Sequence, residues 1–235
     1  MTKRNGKKQR LKFTPTELIK PSRPTIKRLE AKTKNQQLYI DTINHNKITF
    51  CSGIAGTGKT KIAISLAIEG VLDAHYDRII ITRPLVQAGE NLGHLPGSFE
   101  EKLSPYLMPL FDEIEGYLSQ EEVKQWQTDG TLEIAPIAFM RGRNFHNSFI
   151  VVDESQNMTH QQLLMVLTRI GKNSKMVLNG DPTQCDLNRG QAGAFHDLLT
   201  KLQGINNLGT VYLDKHDVVR EQIVSDILER LELDK

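Results

Sequence analysis

The chain has 235 residues, with 30 Lys/Arg against 28 Asp/Glu and a formal net charge of +2, long enough for one sizeable core without covalent staples. Its 38% hydrophobic residues with 17 glycines approach the globular average, and no apolar run nears the roughly 18 residues of a membrane span, so a disulfide miniprotein and a helical membrane protein are both excluded. Two distant cysteines, Cys51 and Cys185, without a signal peptide or a metal-ligand spacing, lead to the expectation of a reducing, cytoplasmic setting.

The charge is unevenly placed along the chain. Residues 1–34 hold 12 Lys/Arg and two acids, Glu17 and Glu30, so the head carries about +10 and the remainder about −8. The stretch Lys3-Arg4-Asn5-Gly6-Lys7-Lys8-Gln9-Arg10 has almost nothing apolar to bury. Residues 1–30 are therefore expected to form a flexible basic arm and residues 31–235 the folded domain. Such an arm would meet a polyanion through counterion release, with a merely solvated, solubilising tail as the alternative.

A leading helix is predicted between Thr25 and Asn46, marked by Gln36, Leu38, Tyr39 and Ile43. From Lys47 onward short apolar runs alternate with helical periods, which predicts an α/β fold with a mostly parallel sheet and helices on both faces. The predicted strands are Ile48–Cys51, Arg78–Thr82, Leu132–Ile134, Phe149–Val152, Lys175–Leu178 and Val211–Leu213. The predicted helices are Thr60–Leu72, Phe99–Leu118, His160–Ile170, Ala192–Leu202 and Val218–Leu231. Phe111, Tyr117 and Trp126 are read as packing a helical insertion rather than stacking bases. The seven histidines show no ligand spacing.

Chemistry enters directly after the first strand. Gly53-Ile54-Ala55-Gly56-Thr57-Gly58-Lys59-Thr60 fits G-x-x-x-x-G-K-[ST] between a strand and a helix. Its glycines let backbone N–H groups turn onto phosphates, and the following helix adds its positive dipole end. Lys59 is expected to bridge the β- and γ-phosphates of ATP, and Thr60 to place its hydroxyl on Mg²⁺. Next, Phe149-Ile150-Val151-Val152 runs into Asp153-Glu154, an expensive ending unless a cation waits there. Asp153 is expected to hold the Mg²⁺ water shell, and Glu154 to orient and deprotonate the attacking water. Finally, Val177-Leu178-Asn179-Gly180-Asp181-Pro182-Thr183-Gln184 is a strand followed by a polar turn. Gln184 could hold the nucleophilic water or sense the γ-phosphate, while Asp181 reads as a structural cap of the turn.

The glycine loop, Asp153-Glu154-Ser155-Gln156 and Gly180-Asp181-Pro182-Thr183-Gln184 together resemble the ATP-hydrolysing core of superfamily 1 helicases. The stretches between them are more closely similar to the PhoH family of P-loop ATPases: Thr33-Lys34-Asn35-Gln36 with Tyr39, Thr82-Arg83-Pro84, Ala88-Gly89-Glu90-Asn91-Leu92-Gly93-His94-Leu95-Pro96-Gly97, Met140-Arg141-Gly142-Arg143 and Asp217-Val218-Val219-Arg220. Ser155 stands where that family usually has Ala, and Glu221 where His is common. The resemblance covers roughly residues 33–230 and implies a single RecA-like P-loop NTPase domain that binds ATP and Mg²⁺.

The same resemblance implies that Gln36 reads the adenine edge and so selects ATP over GTP, whereas by itself it reads as a polar residue on an exposed helix. It implies that Arg83, Arg141 and Arg143 contact an RNA backbone or the γ-phosphate, and that Arg220, or else Arg143, serves as an arginine finger. For Arg83, Arg141 and Arg143 a surface ion pair is the plain alternative. A superfamily 1 helicase closes ATP between two cores, whereas this length supplies one, and no appended RNA-binding module is expected within it. The second wall is therefore expected from another copy in a homo-oligomer such as a hexameric ring. The leading expectation is an Mg²⁺-dependent ATPase coupled to binding, remodelling or unwinding of single-stranded RNA, with DNA as the other polynucleotide. An ATP-gated RNA- or protein-binding module with slow hydrolysis, and a P-loop kinase, are the alternatives.

Overall fold

In a computed structural model, residue 26, residues 28–84, 99–187 and 193–219, and residues 223, 227 and 230 are described, with side chains left aside at 99–105. The elements in chain order are α1 (Lys34–His45), β1 (Ile48–Gly53), α2 (Lys59–Leu72), β2 (Arg78–Arg83), α3 (Phe99–Glu115), α4 (Gln120–Thr128), β3 (Leu132–Pro136), β4 (Ser148–Val152), α5 (His160–Leu167), β5 (Lys175–Gly180), α6 (Ala194–Lys201) and β6 (Leu208–Leu213). The six strands form one sheet in the order β3-β2-β4-β5-β1-β6, and every pairing is parallel.

The strands read as nearly unbroken apolar runs because both of their faces are covered. Side-chain alternation divides them between two cores. Cys51, Ile79, Ile81, Phe149, Val151, Val177 and Val211 pack with Tyr39 and Ile43 of α1, Ile62 and Ala63 of α2, and Leu110 of α3. Phe50, Ile80, Ile150, Val152, Met176 and Leu178 pack on the other face with Leu163 of α5 and Phe195 of α6. Phe111, Tyr117 and Trp126 lie against the first core, as packing residues of the α3–α4 insertion.

Differences from the predicted elements have local causes. The helix predicted as Phe99–Leu118 ends at Glu115, and α4, unpredicted, restarts behind a capping box in which Ser119 and Glu122 satisfy each other's backbone N–H groups. The helix predicted to Ile170 ends at Leu167, and Ile170 instead makes a parallel bridge to Phe145. Strand β6 starts three residues before the predicted Val211. Gly209 breaks the strand pattern there, yet a Cβ on it would lie 2.3 Å from Thr42 Cγ2, so close passage of α1 requires the glycine. Leu38 is 55% exposed, and the buried stripe of α1 is Gln36, Tyr39, Ile40 and Ile43. Of the helix predicted over Val218–Leu231, Val218 and Val219 are not helical, Ile223, Ile227 and Arg230 are, and the rest lies outside the described residues.

The arm expected over residues 1–30 lies outside the described residues except at its end. There Ile26 and Leu29 pack on the first core, and Arg28 pairs with Asp73 at 3.0 Å. The far end of α1 is closed by Lys175, whose ammonium donates to the carbonyls of Ile43, Asn44 and Asn46, and burial pushes that amine down to about 8. Helix α1 is thereby seated against β1, β5 and β6, with its N-terminus beside the loop that follows β1.

Candidate active site

The loop Gly53–Thr60 leaves the sheet at the carboxyl end of β1. A Cβ on Gly53 would lie 2.9 Å from Leu213, and Gly56 and Gly58 take φ of 84° and 83°, so three glycines are required by packing or by backbone sign. Thr57 Oγ1 donates to Ile54 O at 2.8 Å and closes the turn. Lys59 Nζ donates to Gly53 O at 2.6 Å and Ile54 O at 2.9 Å, so the ammonium lies folded over the loop that α2 leaves with free N–H groups.

Thr60, in the first turn of α2, donates from Oγ1 to Asp153 Oδ1 at 2.7 Å. Asp153 is 5% exposed, and its carboxyl is pushed up by burial and then by the adjacent Glu154, against the Thr60 hydroxyl, Arg83 and Lys59. Glu154 holds the left-handed region at φ 52°, ψ 39°, a conformation costing a non-glycine residue about 1 kcal/mol or more. Its carboxylate is held from both sides: Arg83 Nη2 reaches Oε1 at 3.1 Å and Gln156 Nε2 reaches Oε2 at 2.5 Å.

Gln156 went unassigned in the sequence, although it sits two residues past Glu154. It joins the two acidic loops, because the same Nε2 also donates to Gln184 O at 3.2 Å while its Oε1 accepts from Asp181 N at 2.9 Å. Asp181 caps the turn Pro182–Gln184 through Thr183, which is the structural part expected of it. Gln184 is exposed and lines the same cavity of about 450 Å³ as Lys59, Thr60, Asp153 and Glu154.

Gln36 also lines this cavity but is 5% exposed, not on an open helix face. Its amide is fully engaged by backbone groups: Nε2 donates to Thr57 O at 3.1 Å and Asp217 O at 3.4 Å, and Oε1 accepts from Lys32 N at 2.8 Å. Asp217, another residue without an assigned role, ties this corner together by accepting from Thr33 Oγ1 and from Asn35 Nδ2 at 3.0 Å. Two residues later, Val219 N donates to Gly56 O at 3.1 Å.

The arginines separate. Arg83 is at the site, paired with Glu154 rather than open to RNA. Arg143 is not brought to the cavity of its own chain: it grips the carboxylate of Glu133 on β3 through both terminal nitrogens and stacks 4.8 Å over the Phe145 ring. That ion pair raises the guanidinium further and lowers Glu133, so the plain alternative holds for Arg143 within one chain. Arg141 is exposed in the turn after Met140, away from the cavity. Arg220 lies outside the described residues, as does the glycine-containing stretch 88–97.

The donor set suits a hard divalent ion. A hydroxyl and a carboxylate oxygen meet at Thr60 and Asp153, and the burial that opposes ionisation of Asp153 is what a cation there would offset. Among the described residues no group of three His, Cys, Asp or Glu could by itself enclose a metal, so an ion here would draw its other ligands from water and phosphate. Two buried polar atoms on the cavity-lining residues lack partners, Asn179 Nδ2 and Asp181 Oδ2. Native interiors rarely leave such groups unpaired except where a ligand or ion completes them.

A family model described as "PhoH-like protein" matches residues 28–232. A PhoH-like protein of Synechocystis sp. is 44% identical over 217 residues, 92% of this chain and 66% of that protein. Protein PhoH of Escherichia coli is 40% identical over 195 residues, 82% of this chain and 55% of that one. The chain thus spans a little over half to two thirds of the length of these curated relatives. Among solved structures, the large terminase of a thermophilic bacteriophage superposes with a TM-score of 0.52 at 11% identity, over 83% of this chain and 49% of that one, a likeness of fold.

Proposed function

We propose, from the premise that the chain belongs to the PhoH-like protein family, that it is an Mg²⁺-dependent ATPase. The single observation that carries the proposal is the convergence on one cavity of the phosphate loop, the Thr60–Asp153 pair and Glu154 clamped between Arg83 and Gln156. The triphosphate would lie on the N–H groups of residues 53–60, with Lys59 leaving the carbonyls of Gly53 and Ile54 to meet the β- and γ-phosphates. The chemistry that a bound Mg²⁺ supplies, held at Thr60 and Asp153, is neutralisation of charge on those phosphate oxygens. Glu154 takes a proton from water as the water oxygen bonds to the γ-phosphorus; the bond from that phosphorus to the β–γ bridging oxygen breaks, leaving ADP and inorganic phosphate. Gln184 faces the same space and would orient the water. Gln36 supports the loop through Thr57, and to read adenine it would have to exchange bonds it already makes.

A kinase is less well supported, because a base clamped beside the metal position serves water. Coupling to single-stranded RNA rests on the basic head of residues 1–34. Assembly into a ring rests on the single core read from the sequence and on Arg143, which is held away from the described lining of its own chain's cavity. Arg220, on the strength of the family resemblance, is proposed as the finger that completes a neighbouring subunit's site.

The test is phosphate release from ATP with Mg²⁺. Lys59→Ala is expected to abolish it, and Glu154→Gln to lower turnover about 100-fold or more while ATP still binds. Undiminished release by Glu154→Gln would remove Glu154 as the base. Stimulation by single-stranded RNA separates the ATPase from an ATP-gated binding module, and a monomer by light scattering at working concentration refutes the ring.

A further inference from the structure

Asn179 stands at the carboxyl end of β5, between the two strands that carry the site. It pairs in register with Cys51 of β1, and lies one position beyond the pairing of Val152 with Leu178, level with Asp153. Alternation puts it on the same face as Val177, beneath α1 and α2, where Tyr39 donates its hydroxyl to Asn179 Oδ1 at 2.5 Å. Both residues are 0% exposed. The tyrosine therefore fixes one end of the amide, and the other end, Nδ2, has no partner although Asn179 lines the cavity.

An amide donor shut away from water without an acceptor is unfavourable, and rotation cannot relieve it without breaking the bond to Tyr39. Donor chemistry limits what could complete it. Waters on a metal ion turn their protons outward and offer a donor nothing, whereas a phosphoryl oxygen is anionic and accepts. Position limits it further, because β5 lies between the loop strand β1 and the carboxylate strand β4. The only phosphoryl group that must reach both Lys59 and Glu154 is the terminal one.

We propose that Asn179 is a catalytic residue that donates from Nδ2 to an oxygen of the terminal phosphoryl group of bound ATP, with Tyr39 as the positioning residue that aims it. This rests on the ATPase reading above and adds to it a discriminator between triphosphate and diphosphate. The donor serves the ground state by favouring ATP over ADP, and serves the transition state as charge shifts among the phosphoryl oxygens.

The experiment compares wild type, Asn179→Ala, Asn179→Ser and Tyr39→Phe by equilibrium binding of ADP and of a non-hydrolysable imido analogue of ATP, each with Mg²⁺, alongside phosphate release. Asn179→Ala is expected to keep ADP affinity within about twofold, weaken the analogue about tenfold and lower turnover on the order of 100-fold. Asn179→Ser, which retains a donor, should recover part of both losses, and Tyr39→Phe should show the same terminal-phosphate-selective loss at smaller size. Equal weakening of ADP and analogue, or no weakening of either, overturns the proposal. If thermal melts show that Asn179→Ala does not fold, Tyr39→Phe decides, and its failure to discriminate the two nucleotides overturns the proposal equally. Absence of phosphate release by the wild type would defeat the ATPase reading instead, while the ADP-to-analogue comparison still judges Asn179.

Discussion

Asp217 is 1% exposed and charged, a combination that is stable only when the carboxylate is fully engaged. Burial by itself would raise its pKa, but donors from Thr33, Asn35 and the Asp214 N–H, with His216 nearby, outweigh burial and hold it below the ordinary range. The folded value then lies below the unfolded one, so its contribution is complete above the unfolded pKa of about 3.9 and is lost as pH falls through the folded value. Asp217→Asn is expected to destabilise by about 2 kcal/mol at neutral pH, the scale of a charge-assisted hydrogen bond, and to flatten the acid limb of stability against pH. Thermal unfolding between pH 3 and 7 reads both, with a fall of about 5 °C near neutrality, and an unchanged acid limb would contradict the assignment. Nothing in the sequence singled Asp217 out from its motif neighbours, because its partners Thr33 and Asn35 come from the other end of the chain and meet it only once α1 has docked beside β6. The same distance in sequence hid the partner of Asn179.

Helix α4 shows how element boundaries respond to local chemistry. Apolar spacing runs smoothly from Phe99 to Leu118 and gave no reason to stop, yet Ser119-Gln120-Glu121-Glu122 is a capping-box pattern that restarts the helix. Ser119 Oγ accepts from Glu122 N at 3.3 Å while Glu122 returns its carboxylate to Ser119 N at 2.7 Å. Ser119→Ala is expected to cost about 1 kcal/mol, felt first in α4, since only Val123 of that helix is fully buried. Faster amide exchange across 120–128 with the β4 and β5 amides unchanged checks the prediction. The strands were legible to within one to three residues because Ile79-Ile80-Ile81 and Phe149-Ile150-Val151-Val152 must be covered on both faces, which leaves few alternatives to a parallel sheet. Gly209 and Gly180 were the illegible positions. Each reads as a break, and each is instead where a neighbour, α1 or the Phe195 ring, passes too close for a side chain.

At the scale of the molecule, the divided charge bears on how polynucleotide binding should be tested. A cut at residue 34, where the composition changes, would also remove Leu29, whose N–H bonds Glu69 at 2.8 Å, and Thr33, which caps α1 and bonds Asp217. Loss of activity in that truncation would report damage to the nucleotide corner and not loss of an arm. Deleting residues 1–25 spares these bonds and still removes eight Lys/Arg and one acid, Glu17. If those cations bind single-stranded RNA, counterion release predicts that the log–log slope of affinity against salt flattens by about 0.7 for each phosphate no longer neutralised, up to about 5 if most of them engage. ATP hydrolysis without RNA should be unchanged, because the deletion leaves the bonds of Leu29, Thr33 and Gln36 around the nucleotide corner intact. Filter binding of a single-stranded RNA from about 50 to 300 mM salt, with full-length and truncated chains side by side, measures the slope directly. Equal slopes would assign the head to solvation alone and move any RNA binding onto the acidic body, where Arg141 is exposed.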